Sequence, residues 1–120
     1  MILGIGVDLC SIERIKNALK SQHFRDRIFS PEEISYCEGK GRNRYESYAA
    51  GFAAREAFAK ASGINLASVI SENNFTLTRT DGVPGIKISK KLGEKIPSTK
   101  IFVSITHEKD YALAMVVIEN

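Results

Sequence analysis

The sequence predicts a single α+β domain over residues 1–120, with helices in the first half packed on a largely antiparallel sheet. An alanine-rich segment and two further helix starts occupy the first half, whereas short apolar segments separated by turns occupy the second. The length of 120 residues is that of one domain with one core. With 43% hydrophobic and 26% charged residues, the composition is that of a globular protein and excludes a disordered tail.

The chain opens with a predicted strand that is followed by a helix. Ile2–Leu9 is rich in β-branched residues and too short for a typical helix, which predicts a buried strand. Ser11 is placed to cap the helix that follows, because its hydroxyl can accept a hydrogen bond from the first turn. The apolar residues that recur at helical spacing after this cap are Ile12, Ile15 and Leu19.

Two more helices have clear local signals. Ser30 is a suitable cap, Pro31 suits the first helical position, and Glu33 follows three residues after the cap. A longer helix runs over about residues 45–62, holds seven alanines and ends at Gly63.

The second half consists of predicted strands and turns. The strands are Phe75–Arg79, Ile86–Ile88, Ile101–Thr106 and Tyr111–Ile118. A turn over residues 81–85 joins the first two strands, and a tight connection over His107–Asp110 joins the last two. Between these hairpins, Ser89 is placed to start a short helix that runs through Leu92.

Composition and charge exclude several classes of protein. The net charge of only +3 is too small to indicate nucleic-acid binding, and no apolar stretch approaches the roughly 20 residues of a membrane-spanning helix. The first residues lack the basic segment and the cleavage site of a signal peptide. Cys10 and Cys37 form no Cys-x-x-Cys pair, as expected for two reduced thiols. We therefore expect a cytoplasmic protein that binds neither membrane nor nucleic acid.

Asp8 lies at the end of the first predicted strand, next to two glycines. If side chains alternate from Ile2, Asp8 shares a face with Gly4 and Gly6, which leave space for something to approach the backbone. A carboxylate beside that space could hold a metal ion. Alternatively, Asp8 only favours the N-terminus of the helix that follows. The strand alone leaves both interpretations open.

Glu56 and Lys60 lie four residues apart on the alanine-rich helix and share a face with small and apolar residues. The other members of that face are Ala49, Phe52, Ala53 and Gly63. Charges on an apolar face need a partner or an ion, which favours a functional site, whereas an exposed pair would be a routine surface feature. His107 closes a strand, a position that is more typical of a structural histidine.

The densest positive segment lies between Glu13 and Arg27. Its basic residues are Arg14, Lys16, Lys20, Arg25 and Arg27. Such a segment is usually a solvated face, but it would also suit an acidic protein partner.

Four motifs together resemble the holo-acyl-carrier-protein synthases, the small phosphopantetheinyl transferases. They are Ile5-Gly6-Val7-Asp8-Leu9 with Ile12-Glu13-Arg14-Ile15, Phe29-Ser30-Pro31-Glu32-Glu33, Phe52-Ala53-Ala54-Arg55-Glu56-Ala57-Phe58-Ala59-Lys60-Ala61, and Ser104-Ile105-Thr106-His107 followed by Tyr111-Ala112-Leu113-Ala114. The third is similar to the family signature Phe-Ala-x-Lys-Glu-Ala-x-x-Lys-Ala. The motifs occur in order and at the family's intervals, and the similarity covers essentially the whole chain.

This resemblance implies a phosphopantetheinyl transferase-like fold and a group-transfer reaction. The family moves 4′-phosphopantetheine from coenzyme A to a serine of apo acyl carrier protein in fatty-acid biosynthesis and releases adenosine 3′,5′-bisphosphate. Its members use Mg²⁺ and are homotrimers whose active sites lie between neighbouring subunits. In such a transfer, the main tasks of the protein are to position the two substrates and to neutralise the charge of the phosphate groups.

The resemblance also implies roles for individual residues. Asp8 and Glu56 are the implied magnesium ligands, two carboxylates being a number that Mg²⁺ commonly takes from a protein. Glu56 and Lys60 are the implied catalytic residues, and Lys60 contacts the pyrophosphate of coenzyme A. The residues implied in coenzyme binding are Lys60, Gly63, Pro84 and His107, and those implied in carrier docking are Arg14, Lys20 and Arg25. The serine proton could pass to Glu56 or to a water on the metal, and the sequence does not choose.

The sequence departs from the family pattern at three places. Gly51 stands where an arginine is common, Ile64-Asn65 interrupts a common Gly-Thr-Gly, and Val83 stands where the family's turn has a lysine. All three departures affect basic or glycine-rich elements that suit phosphates.

Two other functions stay open from the sequence. A nucleic-acid-binding module would need aromatic stacking platforms on strands, whereas the aromatic residues are scattered and none is Trp. A magnesium-dependent phosphohydrolase would use the same carboxylates but would have no use for the basic segment.

Overall fold

The computed structural model describes residues 1–97 and 100–120. The helices are α1 (Ile12–Ala18), α2 (Gln22–Ile28), α3 (Pro31–Glu38), α4 (Arg44–Ser62), α5 (Leu66–Ile70) and α6 (Lys90–Gly93). The strands are β1 (Ile2–Ser11), β2 (Phe75–Thr80), β3 (Val83–Ile88), β4 (Lys100–Glu108) and β5 (Tyr111–Glu119). This mixture of helices and antiparallel strands confirms the predicted α+β class. Among the residues described, no helix is both long and apolar enough to cross a bilayer.

The described strands form two antiparallel sheets. One has three strands in the order β1-β5-β4, and the other is the hairpin of β2 and β3. The first strand of the chain therefore pairs with the last one, with Gly6 opposite Val116 and Asp8 opposite Ala114. Strand β1, which carries Asp8, is therefore an edge strand of this sheet, and β5 is the central strand.

The predicted helix starts are confirmed by their caps. Oγ of Ser30 accepts a hydrogen bond from the N–H of Glu33 at 3.3 Å. The other predicted caps that accept such a bond are Ser11 at α1 and Ser89 at α6. Gly63 ends α4 in the left-handed region with a φ of 76°, where a residue without a side chain is favoured.

The basic segment forms two helices, whereas the sequence predicted one helix through Leu19. Helix α1 ends at Ala18, and Ser21 starts α2 by accepting a hydrogen bond from the N–H of Phe24 at 3.2 Å. The division places Arg14 and Lys16 on α1, Arg25 and Arg27 on α2, and Lys20 in the turn between the two helices.

Two predicted turns are shorter in the structure. A two-residue turn at 81–82 joins β2 and β3, so Pro84 lies within β3 opposite Arg79. Another at 109–110 joins β4 and β5, so His107 lies within β4. Positive φ angles in both turns match the twist of the paired strands, which lets the ladders continue up to the turn.

Helix α4 lies directly against strand β1 because two strand residues have no side chain. A Cβ placed on Gly4 would overlap the carbonyl oxygen of Ala61, and a Cβ on Gly6 would overlap that of Ala57. The helix side of the contact is also small, since Ala57 is fully buried. The predicted space beside the glycines is therefore occupied by the helix backbone itself.

The outer face of β1 is exposed, so the prediction of a buried strand is wrong. Ile5, Val7 and Leu9 are 67%, 51% and 58% exposed, and Phe102 and Met115 on the neighbouring strands are about half exposed. Glycines face the helix and the branched side chains face outward. The described chain therefore leaves an apolar sheet face uncovered.

A buried ion pair joins α4 to α3 and to β2. The guanidinium of Arg55 donates to both carboxylate oxygens of Glu33, at 2.8 and 2.6 Å, and both side chains are buried. Arg55 also donates to the carbonyl of Phe75, and Glu33 accepts from the N–H of Leu77. Removing one partner of such a pair typically costs about 3–5 kcal/mol, because the other charge stays buried.

We expect Gly6→Ala to destabilise the fold strongly. The added methyl group would meet a helix carbonyl that cannot rotate away, so about 3 kcal/mol or more should be lost. Urea denaturation followed by circular dichroism measures the loss. Gly39→Ala is the matched control, because a Cβ there would lie at 3.4 Å from the carbonyl oxygen of Tyr36 and its φ of −67° suits alanine. Equal stability of the two variants would contradict the close packing of β1 on α4.

Candidate functional site

Asp8 follows Gly6 on the face of β1 that meets helix α4. Its side chain is only 13% exposed, and its Oδ1 accepts a hydrogen bond from Nζ of Lys60 at 3.2 Å. Nζ of Lys60 also donates to the carbonyl oxygen of Val7 at 3.0 Å. The strand and the helix are thus joined by a charged contact directly beyond the two glycines.

Lys60 pairs with Asp8, whereas the sequence had paired it with Glu56 on an apolar face. The Lys60 side chain is 58% exposed, so the argument from a buried charge is wrong for this residue. The carboxylate that Lys60 contacts comes from strand β1 rather than from its own helix.

Glu56, one helical turn before Lys60 in α4, also lies beside Asp8. Burial raises the pKa of Glu56 and the negative charge of Asp8 raises it further, whereas Lys60 and Arg14 act in the opposite direction. Two carboxylates held against each other at partial burial form a centre of negative charge that favours a proton or a cation. The structure therefore brings together the predicted ligands Asp8 and Glu56, with Lys60 beside them.

The residues present fit Mg²⁺ better than a metal that needs many protein ligands. Within residues 1–97 and 100–120, no three His, Cys, Asp or Glu side chains converge. Magnesium commonly takes one or two carboxylates and completes its coordination with water and phosphate oxygens. Asp8 and Glu56 match this preference in number and in ligand type.

A pocket of about 210 Å³ opens beside the two carboxylates. Arg14 lies on its edge, and its apolar wall includes the rings of Phe24 and Phe52, stacked with centroids 6.4 Å apart. The helical spacing had placed Phe52 on the same face as Glu56 and Lys60. No sequence signal had placed Phe24, which lies on α2, near these residues. The site thus combines a charged end with an apolar wall.

Cys10 also lines this pocket, next to the carboxylates. Burial raises its pKa to about 11, with further contributions from Asp8 and Glu56. The thiol therefore stays protonated at neutral pH and is a poor nucleophile.

Pro84 and His107 line a different cleft of about 360 Å³, between α3, the start of α4 and the two hairpins. Nε2 of His107 lies 3.6 Å from Oε2 of Glu46 across this cleft. The cleft shares no lining residue with the pocket at Asp8. Within one chain, Pro84 and His107 therefore lie in a different cavity from the one beside Asp8, the residue that Lys60 contacts.

Gly63 lines neither cavity. It lies at the exposed end of α4, and a Cβ there would meet nothing within 4 Å. Its position ends the helix three residues after Lys60.

The three predicted docking residues lie in different surroundings. Arg14 is exposed at the edge of the site pocket, and Lys20 is exposed in the turn between α1 and α2. Nε of Arg25 instead lies 3.1 Å from Oδ1 of Asp26, and its side chain lines a groove with Tyr48, away from the carboxylates. Only Arg14 of the three lines the site pocket.

Comparison with known proteins identifies close relatives. A model of the 4′-phosphopantetheinyl transferase superfamily matches residues 4–116. The holo-[acyl-carrier-protein] synthase of Cytophaga hutchinsonii is 40% identical over 98% of this chain and 97% of that protein. The crystal structure of holo-[acyl-carrier-protein] synthase from Neisseria meningitidis has a TM-score of 0.89 at 34% identity, with 100% of both chains covered. That of the Helicobacter pylori synthase, in complex with coenzyme A, has a TM-score of 0.85 at 30% identity over 96% of this chain and 99% of that one.

We expect Glu56→Gln to stabilise the metal-free protein near pH 7. A raised pKa means that the folded state holds the proton more tightly than the unfolded state, so ionising Glu56 costs stability that glutamine avoids. As the pH falls from 7 through the raised pKa towards 4.5, the wild-type protein takes up this proton and the difference should shrink. Melting temperatures measured over this pH series in a chelating buffer test the expectation.

The matched control for this measurement is Glu94→Gln, which removes an exposed carboxylate outside the site. It should leave the melting temperature nearly unchanged throughout. If Glu56→Gln melts below the wild type at pH 7, the surroundings stabilise the ionised Glu56 carboxylate. That result would contradict a raised pKa for Glu56.

Proposed function

The chain belongs to the 4′-phosphopantetheinyl transferase superfamily, and from this premise we propose that it transfers 4′-phosphopantetheine from coenzyme A to a serine of apo acyl carrier protein. The observation that carries the proposal is the meeting of Asp8, Glu56 and Lys60 where β1 touches α4. Relatives named holo-[acyl-carrier-protein] synthase match over nearly the whole chain, one of them in complex with coenzyme A. We place the reaction in cytoplasmic fatty-acid biosynthesis.

The reaction exchanges one phosphorus–oxygen bond for another. The serine hydroxyl oxygen attacks the phosphorus that bears pantetheine, the bond from this phosphorus to the bridging oxygen breaks, and adenosine 3′,5′-bisphosphate leaves. The hydroxyl proton passes to Glu56 or to a water molecule. The protein's main tasks are to align the two substrates and to neutralise the charge that gathers on the leaving phosphate.

Asp8 and Glu56 are the residues that would hold Mg²⁺. When bound there, the ion would supply positive charge to the pyrophosphate of coenzyme A. Lys60 adds a second positive charge from the exposed side of the same site, since its Nζ lies at 3.2 Å from Asp8 and faces solvent. These three side chains therefore suit the binding of a pyrophosphate group.

We propose a homotrimer in which neighbouring copies share each active site. The uncovered apolar face of β1, with Ile5, Val7 and Leu9, supports an assembly that buries it. The separation of the His107 cleft from the Asp8 pocket supports a shared site, because a second copy can bring the two cavities together.

Arg14 is the residue best placed to meet the acyl carrier protein. It lies on the edge of the pocket that holds the carboxylates, so a carboxylate of the carrier bound there would bring the serine near the coenzyme. Lys20 extends the positive surface at the end of α1. Arg25 is the weakest of the proposed docking residues, because Asp26 already neutralises it.

The direct test of this function is the mass of an apo carrier protein after incubation with the protein, coenzyme A and Mg²⁺. We expect the carrier to gain one phosphopantetheine group, and Asp8→Asn to lower the rate about 100-fold or more, because it removes the charge of one proposed ligand. Glu94→Gln should transfer at the wild-type rate. Breakdown of coenzyme A without any carrier modification would instead indicate a phosphohydrolase.

We expect Arg14→Glu to raise the KM for the carrier about five- to tenfold and to leave the KM for coenzyme A nearly unchanged. Exposed charges act largely on association and are screened within about 8 Å at physiological salt, so the variant should also show a weaker salt dependence. Lys20→Glu should have a smaller effect of the same kind. Steady-state kinetics at two salt concentrations measure both constants.

Lys95→Glu is the control for this comparison, since it makes the same change of charge at an exposed position outside the site. It should leave both constants close to the wild-type values. If Arg14→Glu raises the KM for coenzyme A and spares that for the carrier, α1 is not the docking helix.

A further inference from the structure

The ammonium group of Lys60 lies directly on the carboxylate of Asp8. Its Nζ donates to Oδ1 of Asp8 at 3.2 Å and to the carbonyl oxygen of Val7 at 3.0 Å, so two acceptors of strand β1 hold it. The Asp8 side chain is only 13% exposed. With a second acceptor and a carboxylate that is largely shielded from water, this contact is stronger than an ion pair between two exposed side chains.

The charge of Lys60 acts on Glu56 as well as on Asp8. Burial, the charge of Asp8 and a hydrogen bond between the two carboxyl groups raise the pKa of Glu56, whereas the charge of Lys60 lowers it. Arg14 acts in the same direction as Lys60 but more weakly. Lys60 is therefore the stronger of these two counter-charges at the carboxylate pair.

The balance of charge sets Lys60 against a divalent cation. Two ionised carboxylates balance one divalent cation, so the cation and Lys60 together would leave one excess positive charge beside Asp8. An uncompensated charge is unfavourable in a partly buried site, and the two cations also repel each other. Both can therefore remain at the carboxylates only when a negatively charged ligand offsets the excess.

Lys60 can leave Asp8 without any movement of the backbone. Its side chain is long, unbranched and 58% exposed, and it lies three residues before the helix end at Gly63. Rotation about its side-chain bonds brings the ammonium group into solvent, while Asp8 and Glu56 keep their places on β1 and α4. An exchange of Lys60 for another cation is thus a local event.

We propose that Lys60 makes the binding of a divalent cation at Asp8 and Glu56 conditional on an anionic ligand. Without such a ligand, the ammonium group competes with the cation for the Asp8 carboxylate. When a phosphate-bearing ligand lies beside the site, its negative charge offsets the excess, and Lys60 and the cation remain together. The inference rests on the proposed function, because it takes coenzyme A as the phosphate-bearing ligand.

Binding of Mn²⁺, measured from the electron paramagnetic resonance signal of the free ion, tests the proposal. Without coenzyme A, we expect Lys60→Met to bind Mn²⁺ about fivefold more tightly than the wild-type protein, because the competing charge is gone. Saturating coenzyme A, corrected by a protein-free blank, should raise the Mn²⁺ affinity of the wild-type protein by a larger factor than that of Lys60→Met. Only the wild-type protein has an internal competitor whose charge the ligand offsets.

Three control variants separate the contact on Asp8 from a general effect of charge. Arg14→Met removes one positive charge from the edge of the same pocket, but Arg14 forms no ion pair with either carboxylate among the residues described. It should raise the Mn²⁺ affinity less than Lys60→Met does. Lys60→Arg keeps a cation beside Asp8 and should bind Mn²⁺ about as weakly as the wild type. Lys95→Met, at an exposed position outside the site, should change nothing.

Two results would overturn the role of Lys60. One is an equal Mn²⁺ affinity of Lys60→Met and the wild-type protein without coenzyme A, and the other is an equal gain in Lys60→Met and Arg14→Met. If the wild-type protein still modifies the carrier in either case, the proposed function stands. The expected Mn²⁺ affinities in a protein that never modifies the carrier would instead contradict the proposed function and support the competition between Lys60 and the cation.

Discussion

The contact between the backbones of β1 and α4 determines where the site forms. Gly4 meets the carbonyl of Ala61 and Gly6 meets that of Ala57, so each step of two residues along the strand passes one turn of the helix. The next inward strand residue, Asp8, consequently arrives beside the turn that carries Glu56, within hydrogen-bond distance of Lys60. A side chain on either glycine would push the strand away from the helix. Asp8 on the strand would then lie farther from Glu56 on the helix.

The neighbouring residues Arg55 and Glu56 show how one helix serves stability and chemistry at once. Arg55 points away from β1 and is matched by Glu33 in a fully buried pair, so its charge is satisfied within the fold. Glu56 points towards Asp8, and the resulting repulsion is left without an equal internal counterpart. An uncompensated charge of this kind costs stability in the free protein and becomes favourable when a cation binds. The helix therefore pairs the charge of Arg55 within the fold, whereas the charge of Glu56 is one that a cation could neutralise.

Features encoded by adjacent residues could be predicted from the sequence, and features set by distant contacts could not. The caps at Ser30 and Ser89 and the helix end at Gly63 depend on local backbone geometry, and the structure confirms them. The exposure of Ile5 and its neighbours could not be predicted, because an apolar pattern does not reveal whether the covering surface belongs to the same chain. Lys60 was assigned to the site, but its bond to Asp8 links residues 52 positions apart and follows only from the packing of β1 on α4.

A crystal structure of the protein grown with coenzyme A, and with Mn²⁺ in place of Mg²⁺, would show whether Asp8 and Glu56 hold the metal. The anomalous signal of manganese locates the ion independently of the protein density. We expect one metal peak within coordination distance of Asp8 and Glu56, with the pyrophosphate of coenzyme A and Lys60 beside it. A metal peak elsewhere, or a pyrophosphate bound away from these two carboxylates, would contradict the claim that the β1–α4 contact creates the active site.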